Sequence, residues 1–256
     1  MFRKGDREYQ FQKRNFELIA YLNSKTALDE KILNFFIENE RDFYRAIKEN
    51  TELRNNLCKD EKTGLLTYKD THLRDTLQNY YNNSQQLDTV NVSLIRFDLD
   101  NFSGINTSFG HKFGDEVLNK FAEILIRNSR PGDLLIRYGG EEFDVIIIND
   151  EGTGAENFTK RVINITGNTL LRYNRTPVRI TVSAGISSRN IKISNFINNS
   201  GSVDSLNEVL QVQADHALYE SKFTGKNRLS IFSEDKLNYY TEIRNSYKRS
   251  FSVVNE

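Results

Sequence analysis

One cysteine, Cys58, stands in a chain of 256 residues. A lone thiol closes no internal disulfide and builds no cysteine-based metal cluster, so a disulfide scaffold is excluded and a reducing cytosol is the expected compartment. Long apolar runs are missing as well: no stretch reaches the roughly 20 residues that a membrane-spanning helix needs. The opening residues MFRKGDREYQ lack the apolar core of a signal peptide, and export is not expected. Net charge is absent too, because 35 basic and 35 acidic residues cancel. No overall field therefore draws the chain to nucleic acid or to an anionic membrane, and any charged ligand must be held by a local site. Internal repeats and low-complexity tracts are lacking.

What is present divides near Asp60. The length suits one domain of ordinary size plus an additional segment, since a compact domain takes about 100 to 200 residues. Between Thr26 and Leu57 there is neither Gly nor Pro, and Ile32, Phe36, Asn39, Phe43, Ala46, Asn50, Leu53 and Leu57 recur in alternating steps of four and three. Such a seam fits a paired helix whose two Asn positions fix register, or an amphipathic helix packed on its own chain. A further helical piece is expected around Phe16, Ile19, Ala20 and Leu22. Residues 1–58 are thus expected to form a helical segment serving dimerisation or regulation, 59–232 a globular domain and 233–256 a polar C-terminal tail or frayed helix.

After Asp60 strands alternate with helices. VNVSLIRFDLD reads as a buried strand, followed after a Gly-containing loop by the helical stretch DEVLNKFAEILIRNS. Next come two apolar runs around Gly139 and Gly140, a helix over about Ala155–Tyr173 and the strand PVRITVSAGIS. In that strand Val178, Ile180, Val182, Ala184 and Ile186 alternate with polar or small residues, which predicts one buried face. A helix over about Leu206–Phe223 and the short strand RLSIF complete the domain. The order strand, helix, hairpin, helix, strand predicts an α+β, ferredoxin-like fold.

Two acidic clusters stand out. In YGGEEF a Gly-Gly pair joins the apolar runs, supplying the positive φ angles of a two-residue turn, and Glu141 and Glu142 follow at the start of the return strand. Taken alone, this is either a solvated acidic tip or a site. In FDLDNF, Asp98 and Asp100 lie on one side of the end of a buried strand, and in a sheet of this topology that end lies beside the hairpin. Four carboxylates converging there call for a divalent cation. Oxygen ligands without nearby His or Cys favour Mg²⁺ or Mn²⁺ over Zn²⁺. Between the clusters Gly104, Gly110 and Gly114 either allow backbone approach to phosphate or belong to an ordinary loop.

The motifs DEKTGL (Asp60–Leu65), FDLDNFSGIN (Phe97–Asn106), FGHKFGDEVL (Phe109–Leu118), RYGGEEF, TVSAGIS and ADHALYESKFTGKNR (Ala214–Arg228) occur in order, and the chain from about Asp60 to Phe232 resembles the GGDEF family of diguanylate cyclases, with the signature present as GGEEF. The resemblance implies a polymerase-palm-like domain that condenses two GTP into cyclic di-GMP with release of pyrophosphate. A homodimer follows, since each GTP is held by one subunit and attacks the other. Asp98, the carbonyl of Leu99 and Glu141 are implied to hold Mg²⁺ or Mn²⁺, and Glu142 to assist deprotonation of the 3′-hydroxyl. Phe102, Ser103, Gly139, Gly140, Lys222 and Lys226 are the implied contacts to the rest of the nucleotide. Asn106 and Asp115 are implied to read guanine, which offers O6 as acceptor and N1–H and N2–H₂ as donors, whereas adenine lacks both donors. Helix N-capping is the other role open to Asp115.

The chain departs from the family pattern at four places. Ser103 stands where a phosphate-contacting Lys is usual, Thr107 where Asp usually follows Asn106, and Lys62 where Leu is usual. Lys226 occupies a position more often filled by Arg, which has a bidentate fork that Lys lacks. The RxxD sequence Arg130–Asp133 sits ahead of GGEEF at the spacing of the family's inhibitory product site, although Pro-Gly-Asp is also a good turn. The alternative function is a catalytically weak domain acting as a cyclic di-GMP receptor or a GTP-binding regulatory module. No membrane insertion and no recognition of nucleic acid are expected.

Overall fold

The structure, a computed structural model, describes residues 59–69, 71–83, 89–148, 153–194 and 200–243. The chain divides into two compact units, residues 1–58 with 79–86 and residues 59–78 with 87–256. The helical segment expected over 1–58 lies outside the described residues.

The elements in chain order are β1 (Leu66–Thr67), α1 (Thr71–Asn83), β2 (Thr89–Leu99), α2 (Phe102–Phe109), α3 (His111–Asn128), β3 (Leu134–Gly139), β4 (Glu142–Ile148), α4 (Gly154–Asn168), β5 (Leu170–Tyr173), β6 (Thr176–Arg179), β7 (Val182–Lys192), α5 (Ser200–Phe223) and β8 (Leu229–Ile231). Six strands form one sheet in the order β1-β3-β4-β2-β7-β8. The middle four carry the ferredoxin-like order, with the first strand, β2, central between β4 and β7 and antiparallel to both. Parallel β1 and β8 extend the two edges. This is the expected α+β palm-like architecture.

The central strand is buried along nearly its whole length because both of its faces are covered. On one face Ile95, Phe97 and Leu99 pack with Phe113, Val117 and Phe121 of α3 and with Phe158 and Val162 of α4. Phe143 of the signature is fully buried and meets Phe121 edge-on at 4.9 Å, so the return strand is pinned in the core directly beside its two acids. On the other face α5 lies against β7 so closely that a Cβ at Gly185 would fall 2.1 Å from the carbonyl oxygen of Ala214. Ser183, Gly185 and Ser187 are therefore buried too, and β7 has two covered faces rather than the single one expected.

Several boundaries differ from the sequence expectation. The Gly-containing loop after β2 is the short helix α2, and α3 starts at His111, ahead of Asp115. The helix expected to reach Tyr173 stops at Asn168, and the strand expected over PVRITVSAGIS is split into β6 and β7. β5 and β6 form a separate hairpin whose turn residues, Asn174 and Arg175, both have positive φ (45° and 73°). An Arg at the second turn position hid a turn that Asn-Gly would have announced. α5 begins at Ser200, earlier than the Leu206 expected. Beyond 232 the chain is helical over 237–243, with Tyr240 and Ile243 buried and Tyr240 stacked on Phe232 at 5.4 Å, so this part of the expected polar tail is packed. Among the described residues no helix is long and apolar enough to cross a membrane.

Candidate active site

Strand register brings the acids together. Asp98 of β2 is the cross-strand partner of Glu142 of β4, so the two side chains share a face. Glu141 lies in the turn itself: Gly139 ends β3, and only Gly140 of the glycine pair has positive φ (41°). The two-residue turn is thus Gly140-Glu141 rather than Gly139-Gly140. The Leu99 N–H donates to the Glu141 carbonyl at 3.3 Å, tying the turn to the end of β2.

Asp98, Glu141 and Glu142 converge, and the fourth expected acid does not join them. Asp100 accepts from Ser183 Oγ and Thr181 Oγ1, each at 2.7 Å, and from the Asn227 N–H at 3.0 Å. It is a buried clamp joining β2 to β7 and to the loop before β8. Burial pushes the Glu141 and Glu142 carboxyls above their usual range, and the Asp98 charge adds to both shifts. The Asp98 carboxyl is raised chiefly by burial, against the attraction of Lys222.

Among the described residues no three His, Cys, Asp or Glu side chains are grouped to hold a metal ion. The oxygen set available is two carboxylates, Asp98 and Glu141, with the Leu99 carbonyl. A cation is already drawn there: Lys222 Nζ lies 2.7 Å from Asp98 Oδ2. Hard oxygen donors that attract positive charge fit Mg²⁺ or Mn²⁺.

The nucleotide-contact candidates lie on the signature turn, α2, α3, α5 and the loop before β8. Phe102 is buried and anchors the start of α2, while Ser103 beside it is exposed. The preceding Asn101 is left-handed (φ 56°) and makes no side-chain cap, its Oδ1 accepting instead from Lys226 Nζ. First-turn amides of α2 are thereby left without that cap. Asn106 packs against α3: a Cβ at Gly114 would fall 2.0 Å from its Oδ1. Gly114 therefore accommodates Asn106 rather than opening the backbone to a ligand, and Gly104 is an ordinary residue of α2. Asp115 lies inside α3, past its first residues, which removes the N-capping role. Its Oδ1 accepts from Lys62 Nζ at 2.6 Å.

Arg130 and Asp133 stand elsewhere, at the opposite end of β3 from the signature turn, a strand's length of roughly 17 Å away. The Arg130 N–H donates to Asp133 Oδ2 at 2.7 Å and the Asp133 N–H returns to the Arg130 carbonyl at 3.1 Å, closing a turn that leaves Arg130 exposed. Burial raises the Asp133 carboxyl. Arg161 of α4 reaches the last residue of α3 ahead of this turn, donating to Asn128 Oδ1 and to the Asn128 carbonyl, both at 3.1 Å.

Three groups were not singled out from the sequence. Arg137 donates through Nη1 to both oxygens of Asp60 (2.8 and 2.9 Å) and through Nη2 to the Gly140 carbonyl (2.8 Å). Arg96 and Asp144 form a buried, two-pronged ion pair across β2 and β4, roofed by the Tyr138 ring 3.9 Å from the guanidinium carbon. The available signal was an unlike charge inside each of two strands that are buried along most of their length, Arg96 in β2 and Asp144 in β4.

Fold and site together define a palm-like α+β domain that presents an acidic hairpin turn. The family model described as "Diguanylate cyclase, GGDEF domain" matches residues 58–228, and the chain belongs to that family. Diguanylate cyclase A of Treponema denticola is 33% identical over 140 residues, 55% of this chain and 35% of that protein. The response regulator PleD of Caulobacter vibrioides is 36% identical over 138 residues, 53% of this chain and 28% of that one. The chain thus spans about a third of the length of these relatives. The GGDEF domain of DgcB from Caulobacter crescentus, solved in complex with c-di-GMP, is 26% identical with a TM-score of 0.56, covering 68% of this chain and 95% of that one.

Proposed function

We propose that the chain is a diguanylate cyclase that condenses two GTP molecules into cyclic di-GMP and two pyrophosphates, with one GTP held by each subunit of a homodimer. The observation that carries this reading is the convergence of Asp98, Glu141 and Glu142 beside the N-terminus of α2 that Asn101 leaves uncapped. Amides there suit the terminal phosphates. Gly139 and Gly140 have open space where a side chain would stand, which leaves room for the α-phosphate. Lys222 and Lys226 hold positive charge at the same corner. Asn106 donates to the guanine edge and Asp115 accepts from it.

In each half-reaction a ribose 3′-oxygen bonds to the α-phosphorus of the partner's GTP, the bond from that phosphorus to the β-phosphate bridging oxygen breaks, and pyrophosphate leaves with the bonding pair. Glu142 takes the hydroxyl proton, and a carboxyl raised by burial is closer to the working pH of a general base than an ordinary one. Asp98, the Leu99 carbonyl and Glu141 would hold Mg²⁺ or Mn²⁺, which would supply charge neutralisation at the phosphates and acidification of the attacking hydroxyl. Two such steps close the cyclic product. Arg130 and Asp133 bind that product as an inhibitor away from the reacting atoms, the guanidinium pairing with phosphate or guanine. Residues 1–58 set the dimer geometry, and the protein works in the cytoplasm.

Incubation with GTP and Mg²⁺, with products resolved by liquid chromatography and mass spectrometry beside Glu141→Ala, tests the reading. Cyclic di-GMP from the wild type and none from the variant supports it. GTP binding by a dimer without product replaces it with a receptor or regulatory module, with Ser103 the first residue to examine.

A further inference from the structure

Lys62 holds one of the two carboxylate oxygens assigned to guanine. The turn over Asp60–Leu65 is closed by Thr63 N–H and Oγ1 donating to Asp60 Oδ1 and by the Gly64 N–H donating to the Asp60 carbonyl. Its position against α3 brings Lys62 Nζ to 2.6 Å from Asp115 Oδ1, although the two residues are 53 positions apart. The side chains are 51% and 39% exposed, and an ion pair so wet contributes little to stability. Its use has to be sought in what it presents to solvent.

We infer that Lys62 is a specificity-determining residue that reads the O6 side of guanine together with Asp115. This rests on the GTP-binding role proposed above. On the guanine edge an acceptor, O6, adjoins two donors, N1–H and N2–H₂. The Lys62–Asp115 pair presents a donor adjoining an acceptor, which is the complementary order. A carboxylate has about four lone-pair sites and an ammonium has three protons, so Asp115 can keep Lys62 while accepting from guanine. Lys62 likewise keeps protons for O6, whose second lone pair remains for Asn106. Adenine opposes the pair twice: its amino group meets the ammonium and its unprotonated N1 meets the carboxylate. Lysine donating to purine O6 and N7 is a recurrent pairing in base recognition.

The test is calorimetric titration with guanosine diphosphate and Mg²⁺, which keeps the base and avoids turnover. The comparison ligands are 6-thioguanosine diphosphate, in which sulfur is a poor acceptor, and inosine diphosphate, which lacks the 2-amino group. The wild type is expected to bind the guanosine compound about tenfold more tightly than the 6-thio compound. Lys62→Leu is expected to lose that preference and to weaken guanosine diphosphate by about the same factor, with the guanosine-to-inosine ratio unchanged, while Lys62→Arg keeps the preference. Equal or tighter binding by Lys62→Leu with the 6-thio discrimination intact overturns the inference and makes Lys62 a competitor for Asp115. Loss of both discriminations in Lys62→Leu also overturns it, since Lys62 then only orients the carboxylate. A wild type that binds no guanine nucleotide removes both this inference and the cyclase reading, whereas binding insensitive to residue 62 removes this inference alone.

Discussion

Arg137 grips Asp60 with two hydrogen bonds of 2.8 and 2.9 Å while its remaining nitrogens hold the Gly140 carbonyl, so one guanidinium joins the first turn of the domain to the signature turn. Burial alone would raise the Asp60 carboxyl, but hydrogen bonds from Thr63 and Arg137 outweigh it and hold the group below the usual range. The folded form therefore binds its proton less readily than the unfolded one. Its contribution is complete above the free aspartate value of about 3.9 and is lost as pH falls through the lower folded value. Asp60→Asn should flatten the acid limb of a stability–pH curve measured by denaturant unfolding. Arg137→Ala leaves a partly buried carboxylate without its partner and should cost about 1–3 kcal/mol, with a fall in turnover as Gly140 loosens.

Gly114 offers a way to move Asn106 without touching it. A methyl group there meets only side-chain atoms within 3.3 Å, the nearest being Asn106 Oδ1 at 2.0 Å, so the helix stays and the amide must turn away. Gly114→Ala should change Tm by no more than a few degrees while raising KM for GTP several-fold, because Ala suits a helix interior better than Gly by roughly 1 kcal/mol. Thermal unfolding and steady-state kinetics on one preparation separate the two effects.

The fold was legible where pattern and position agree. The Val-, Leu-, Ile- and Phe-rich stretch of β2, the paired runs around the glycines and the acid-bearing ends predicted the central sheet and the meeting of Asp98 with Glu141 and Glu142. What escaped depends on partners distant in sequence or on backbone angles. Asp100 looks like Asp98 in the chain, and the hydroxyls of Thr181 and Ser183 with the Asn227 N–H decide that it is a clamp. Arg175 gives no sign of adopting positive φ, so the β5–β6 hairpin was absorbed into its neighbours. The Lys62–Asp115 contact joins segments whose approach is set by the whole sheet.

Glu141 should show a conflict between stability and function. Its carboxyl is raised by burial and by the Asp98 charge, so the folded form holds a proton more readily than the unfolded one. Stability is then greatest below the free glutamate value of about 4.3 and is lost as pH rises through the raised value. At neutral pH Glu141→Gln should raise Tm by about 1–3 °C while lowering cyclase activity by at least about a hundredfold. Differential scanning calorimetry with and without Mg²⁺ checks the link: the ion should stabilise the wild type and leave the variant unmoved.

Product control should reside at the far end of β3. The Arg130 side chain is exposed and its turn is fixed through backbone bonds to Asp133, so removing the guanidinium should leave the turn intact. Arg130→Ala should raise the inhibition constant for cyclic di-GMP by at least about tenfold, with the initial rate in the absence of product unchanged. Progress curves with and without added product measure both quantities.

Ser103 is the departure with the clearest cost. It is exposed at the start of α2, beside Lys226 on Asn101 and near Lys222 on Asp98, at a corner where the proposed triphosphate needs positive charge. Placing an ammonium there adds a charge-assisted hydrogen bond to the terminal phosphates, and Ser103→Lys should lower KM for GTP about three- to tenfold with kcat within about twofold. The same charge opposes the positive end of the helix, so Tm without nucleotide should fall slightly, by the equivalent of about 0.3–1 kcal/mol. Tighter GTP in a less stable protein separates a phosphate contact from a general gain in folding. An unchanged KM would mean that Lys222 and Lys226 already neutralise the triphosphate and that the missing cation limits nothing.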